Sequence, residues 1–471
     1  MSASLLGLPQ EVLRQILDLL PSVDLSTLSL ICRAMHVLAE SLLYSNFEWT
    51  WTFAVPPKTP VEEGPTSSKT PRIMGFTRTC LEKPQVASMV NEVVLGGDSL
   101  SRISHYYRGE PPALPSPEDT LQNLSLAAVD NMDMPQGDRD LWRNALAQGK
   151  VDAWVALLLS QLPNLRRLSL DENFVRDSCF TGLLFRWALC GSKGKPRPLQ
   201  NLAGVNFKLA LDMRARKTSR NTADMLSLFY LPAAENISVS IDNPPAGFAW
   251  PAEHPPSPSN LRSLELTMLR EGHLGQILST TTGLTRLKWS WFYCAGIRDR
   301  FVTDVINLDN IAADLSRVRA TLTDLAITAV ASMSSGDIDY PPVTVQGSFE
   351  ALAKFEALKR LEAPLPFLMA SMSPDGAREL GSSLPRNLEE LTITDDLYLQ
   401  ENYGWGEDEF PAAIRAWMED WKRFTPRIRK FHLLLRLMDY DDWGPEARQE
   451  LRDLGARVGV SVEITKLAGD M

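Results

Sequence analysis

LRRLSL, residues 165–170, places leucine at its first, fourth and sixth positions, and its last three residues alternate apolar, polar, apolar. A short strand buried on one face requires that alternation, because successive side chains of a strand point to opposite sides. The same pattern recurs at VNEVVL (90–95), LAGVNF (202–207), LRSLEL (261–266), LTRLKW (284–289), LTDLAI (322–327), LEELTI (388–393) and IRKFHL (428–433). Weaker copies are LQNLSL (121–126), AENISV (234–239) and LKRLEA (358–363). Successive copies start 23 to 44 residues apart, with helical patterns such as DSCFTGLLFRWAL, GSFEALAKFEAL and PAAIRAWMEDWKRF between them. Strand and helix in alternation predict parallel strands joined by helical crossovers. The expected fold class is therefore α/β, a curved parallel-strand solenoid whose stacked repeats bury together the face that one repeat cannot bury alone.

These copies resemble leucine-rich repeats over residues 86–471, although the asparagine usual after the strand in that family is mostly absent. The helix GPEARQELRDLGARVG and the alternating VGVSVEI (458–464) complete a closing repeat. Proline-rich stretches at 111–117 and 244–258 and the acidic aromatic segment ENYGWGEDEF (401–410) read as surface excursions. Within each copy the fourth and sixth residues turn inward, which leaves Arg167, Glu265, Arg286, Lys288 and Ser290 among the outward residues of the strand face. Arg286 and Lys288 form the basic centre of that face, and a solvated polar surface is the plain alternative to a substrate contact there.

The opening of the chain obeys a different period. In LPQEVLRQILDLLPSVDLSTLSLICR (8–33), Leu8, Val12, Leu13, Ile16, Leu17 and Leu20 predict a wide apolar stripe on a helix over 9–20. Pro9 suits the first helical position, Pro21 ends the helix, and Asp24 is the expected N-cap of a second helix with Leu25, Leu28 and Ile31. A third helix runs through Val37, Leu38, Leu42 and Leu43. Three short helices sit near the size at which a lone core is marginal, so part of this surface must meet something else.

In order, Leu8-Pro9-Gln10-Glu11, Ile16-Leu17, Asp24-Leu25-Ser26-Thr27-Leu28, Ile31-Cys32-Arg33 and Leu42-Leu43-Tyr44 resemble the F-box family, with Met35 where that family often has an aromatic residue. The resemblance implies that residues 1–48 bind the Skp adaptor of a cullin-RING ubiquitin ligase through Leu8, Pro9, Ile16, Leu17, Leu20, Leu25, Leu28 and Ile31. It also implies that the repeats hold a protein substrate and that the chain performs no chemistry itself. An adaptor-bound scaffold with no role in degradation is the other reading. Residues 49–85 form a linker and cap region with a mobile loop at 56–71, and residues 73 onward should fold without the first 48.

The rest of the sequence mainly excludes. A net charge of -10 argues against a general nucleic-acid binder, and MRARKTSR (213–220) reads as a solvated basic loop, with a phosphate patch or import signal as the alternative. No apolar run is long enough to span a membrane and the first residues lack a secretory pattern, so a cytoplasmic or nuclear location is expected. Five separated cysteines give neither a disulfide framework nor a metal site, and no cofactor is indicated. CGSKGKP (190–196) lacks the glycine and hydroxyl of a phosphate loop, with Leu189 and Pro196 in their places. Sequons at Asn123 and Asn236 fall on expected strands. KWSWFYC (288–294) reads as buried core rather than an aromatic binding strip, since Trp289 occupies a core position.

Overall fold

The structure is a computed structural model. It describes residues 8–51, 71–97, 113–175, 178–191, 197–207, 222–244, 247–294, 299–332, 340–406, 408–435 and 444–466. The expected mobile loop, the 213–220 segment and most of CGSKGKP lie outside them. The chain divides into two compact units, residues 1–210 with 230–234, and residues 211–229 with 235–471.

Helices α1 (Gln10–Leu17), α2 (Ser22–Ser29) and α3 (Arg33–Leu43) open the first unit. Pro9 stands just ahead of α1, and its carbonyl accepts from the amides of Val12 and Leu13 at 3.1 and 3.0 Å. Helix α1 stops three residues short of the expected 20, and Pro21, not Asp24, precedes α2. Only Tyr44 and Ser45 separate α3 from strand β1 (Asn46–Thr50). Strands β2 (Glu92–Gly96), β3 (Arg167–Leu170) and β4 (Gly204–Phe207) follow, each parallel to its predecessor and in register.

Strand β1 runs across the boundary expected at residue 48. Its Phe47 is buried and stacks on Phe76 of helix α4 (Arg72–Glu82), with ring centroids 4.1 Å apart. LQNLSL is not a strand: it belongs to the helix Asp119–Asp130, where Leu121, Ser125 and Val129 are buried at intervals of four. The helical period, sustained over three turns, prevails over a six-residue match. The helix Val151–Ser160 lies at the heart of this unit, with Ala153 through Leu159 wholly buried.

In the second unit, strands β5 (Asn236–Ser240), β6 (Ser263–Thr267) and β7 (Arg286–Cys294) are followed by a short β8 (Val305–Asn307) and a long β9 (Asp324–Ser332). After β10 (Thr344–Gln346) come β11 (Arg360–Pro364), β12 (Glu390–Thr394), β13 (Lys430–Leu435) and β14 (Ser461–Lys466). β8 and β10 pair with each other, while the others form one parallel series in chain order. The signature explains the packing: Leu284, Leu287 and Trp289, like Leu388, Leu391 and Ile393, are all buried, so the first, fourth and sixth positions supply the core. Trp289 and Trp291 are both fully buried, as the core reading of KWSWFYC requires. Gly459, with φ +81°, ends the last helix in the left-handed conformation and turns the chain into β14.

Side chains just past the strands satisfy backbone groups there, asparagine at some repeats and aspartate at another. Asn173 donates to the carbonyl of Trp51 at 2.6 Å, Asp396 accepts from the amide of Ala329 at 2.7 Å, and Asn243 accepts from the amide of Arg270 at 2.9 Å. The guanidinium of Arg270, itself buried, donates to the carbonyls of Phe292, Thr303 and Val305 and to both oxygens of Glu271. Buried backbone groups must find partners, and Asn173, Asn243, Asp396 and Arg270 provide them here.

Candidate protein-docking site

Leu13, Leu17, Leu25, Met35 and Ala39 are the buried side chains of the three opening helices. Met35 fills the place expected of an aromatic residue. Around this small core, apolar side chains face outward: Leu8, Val12, Ile16, Leu19, Val23, Leu30, Ile31 and Val37. They are eight of the ten exposed large hydrophobic residues among the described residues, so the exposed apolar surface is gathered on residues 8–37. Leu19 and Leu30 are 85% and 84% exposed, far beyond what a buried helix face shows. Beyond them only Leu141 and Leu399 are large exposed hydrophobic residues among the described residues, and an apolar surface gathered in this way is suited to contact with another molecule.

Of the residues expected to dock, Leu8, Pro9, Ile16 and Ile31 are exposed, and Leu20 and Leu28 are half-buried. Leu17 and Leu25 point into the helical core instead, at 1% and 6% exposure. The reason is the helix wheel. Leu13 and Leu17 form the inward stripe of α1, whereas Val12, Ile16 and Leu19, spaced i, i+4 and i+7, form a second stripe alongside it. Read as one broad stripe, the two faces merge. Val12, Leu19, Val23, Leu30 and Val37 are exposed apolar side chains that the expected set leaves out.

The helices are held to the rest of their unit without slack. The carbonyl of Ser45 accepts from the amides of Asn91 and Glu92 at 2.7 and 3.1 Å. Tyr44 stacks on Phe76 at 6.5 Å, and the guanidinium of Arg72 lies over Phe47 at 5.6 Å.

The strand face behaves differently from its expectation. Parallel in-register pairing sets Arg286, Asp324, Arg360, Glu390 and Lys430 side by side, so signs alternate across the sheet. Lys288 pairs with Glu265 at 2.7 Å, Arg286 reaches Asn236 at 3.5 Å, and Arg360 pairs with Asp324. There is no basic centre at Arg286 and Lys288. Arg167 pairs with Glu92 at 2.8 Å, and this bond holds the Glu92 carboxyl below its usual range. Ser290 is buried and shares a 2.6 Å hydrogen bond with Thr328. The partners of Arg360 and Arg167 stand 36 and 75 residues away in sequence, so they are invisible when each copy is read alone.

Among the described residues no group of three or more His, Cys, Asp or Glu side chains could hold a metal ion. Trp405 of the acidic segment is buried and donates to the carbonyl of Ser371 at 3.0 Å, which fastens that loop down. Cys80 and Cys294 are buried, and desolvation pushes the Cys80 thiol up to about 12, but Cys179 is exposed. Among the described residues no helix is long and apolar enough to cross a membrane. No curated protein matches the chain. Residues 5–47, the segment that carries the exposed apolar surface, match the F-box-like family, so the chain contains an F-box-like domain.

Proposed function

We propose that this protein is the substrate-recognition subunit of an SCF-type cullin-RING ubiquitin ligase, holding the Skp adaptor through residues 8–37 and a protein substrate through its strand-and-helix repeats. The gathering of exposed apolar side chains on the F-box-like helices supports this reading above all else. On this view the repeats are leucine-rich-repeat-like, the chain is not an enzyme, and ubiquitin transfer belongs to other subunits, to which it contributes proximity and orientation.

The docking set is Leu8, Val12, Ile16, Leu19, Val23, Leu30, Ile31 and Val37. Each anchor covered by the adaptor stabilises the complex by about 1.5–3 kcal/mol. Ile16→Asp with Leu19→Asp should therefore weaken adaptor binding on the order of a hundredfold or more, with thermal unfolding unchanged. Undiminished capture of the adaptor by the folded double variant would refute the assignment. Co-purification of cullin with the adaptor separates a ligase subunit from an adaptor-bound scaffold.

A further inference from the structure

The turns that lead into β12 and β13 carry exposed cations that make no ion pair with a described residue. Arg386 sits in the turn closed by the Leu388 amide on the Pro385 carbonyl at 3.1 Å, and Arg427 in the matching turn closed by Ile428 on Thr425 at 3.0 Å. Arg429 follows on the rim of β13, its amide on the carbonyl of Glu389 at 2.8 Å, and Lys422 lies in the short helix Trp421–Phe424 just before. All four side chains are exposed. None makes an ion pair with a described residue; Lys422 lies only over the ring of half-buried Trp421, at 5.6 Å.

Three acidic groups near them are engaged elsewhere. Glu389 pairs with Lys359 at 3.6 Å, and Arg423 takes both Glu379 and Asp420, at 3.5 and 3.4 Å. On the strand face beside them Lys288, Arg360 and Lys430 pair with Glu265, Asp324 and Glu463. Here, in a chain of net charge -10, four cations are left over.

We propose that this rim, Arg386, Lys422, Arg427 and Arg429, binds an extended acidic segment of a protein partner. Neighbouring parallel strands lie about 4.8 Å apart, so the turns ahead of β12 and β13 set Arg386 and Arg427 along one edge of the sheet, a line that an extended peptide can follow. Three of the four cations are arginines, whose planar donors grip carboxylate or phosphate in pairs. A short peptide engages the rim alone, within a screening length of roughly 8 Å. A nucleic acid or membrane would bring its charge against the rest of an acidic molecule. Identification of this partner as a ligase substrate rests on the function proposed above; the binding itself does not.

Fluorescence anisotropy of a labelled peptide of alternating Asp and Glu, titrated with the full-length protein, tests it. Binding should occur, fall as salt is raised, and be roughly tenfold weaker for Arg386→Glu, Arg427→Glu, Arg429→Glu with unchanged melting temperature. The same peptide with phosphoserine in place of the acids shows whether carboxylate or phosphate is preferred, and either preference supports the rim. Equal affinity of wild type and triple variant, or no binding by the wild type, overturns the proposal. So does tighter binding of single-stranded RNA or of phosphatidylserine vesicles than of either peptide. Adaptor capture by the triple variant, measured alongside, reports on the F-box reading separately.

Discussion

Leu17, the last residue of α1, and Leu19, in the turn just after it, stand two positions apart, one buried and the other 85% exposed. Leu17 lies inside the three-helix core, so Leu17→Ala should lower stability by about 2–5 kcal/mol in denaturant unfolding. Leu19→Ala should leave stability within about 0.5 kcal/mol and show its effect only in adaptor capture. Asp314 offers a test of another sort. It faces the helix Glu271–Leu278, where the amide of Gly275 hydrogen-bonds to it, and one of its carboxylate oxygens is buried without a partner. Burial raises its pKa from the ordinary 3.8 to about 6. The fold thus favours the neutral acid: its stabilisation is complete below the unfolded value and is lost as pH rises through 6. Asp314→Asn, neutral throughout, should be more stable than wild type near pH 7.5 by about 1–2 kcal/mol, allowing for solvent screening of a partly exposed group. The difference should shrink towards nothing as pH falls below about 4; an equal gain at both pH values would show that ionisation is not the cause.

Secondary-structure elements were legible where one period ran unopposed. The signature found each of its eight strong copies and two of the three weak ones as strands, because its apolar positions are the core positions. It failed at LQNLSL, where a longer helical period contains the same letters, and the sequon at Asn123 therefore lies on a helix. It also missed β1, whose NFEWT carries the alternation but not the leading leucine, because a strand that follows directly on a helix has no turn to announce it. The docking helices were legible as helices, but their inner and outer stripes touch on the wheel and only packing separates them. Strand β1 changes an expectation about folding as well. A fragment starting at residue 73 lacks Phe47 and the strand that covers Val93 and Leu95, so it should melt well below the full chain or aggregate. A fragment starting at Asn46 retains both and should fold without the helices, as circular dichroism melting of the two would show.

For the whole molecule, on the function proposed above, the join between α3 and β1 sets how an adaptor held by the opening helices would be presented to the first strands. Two residues, a shared hydrogen-bonded carbonyl and the Phe47–Phe76 stack leave no hinge between the docking helices and the first strand. A Gly-Ser insertion between Tyr44 and Ser45 should leave adaptor affinity unchanged yet slow ubiquitin transfer to any bound substrate in a reconstituted ligase, since a flexible tether spreads its load over a larger volume. The insertion would turn a bracket into a leash. A bracket fixes bearing as well as distance, so the lysines of a captured protein would be sampled by position, and only those swept past the cullin-borne enzyme would be marked.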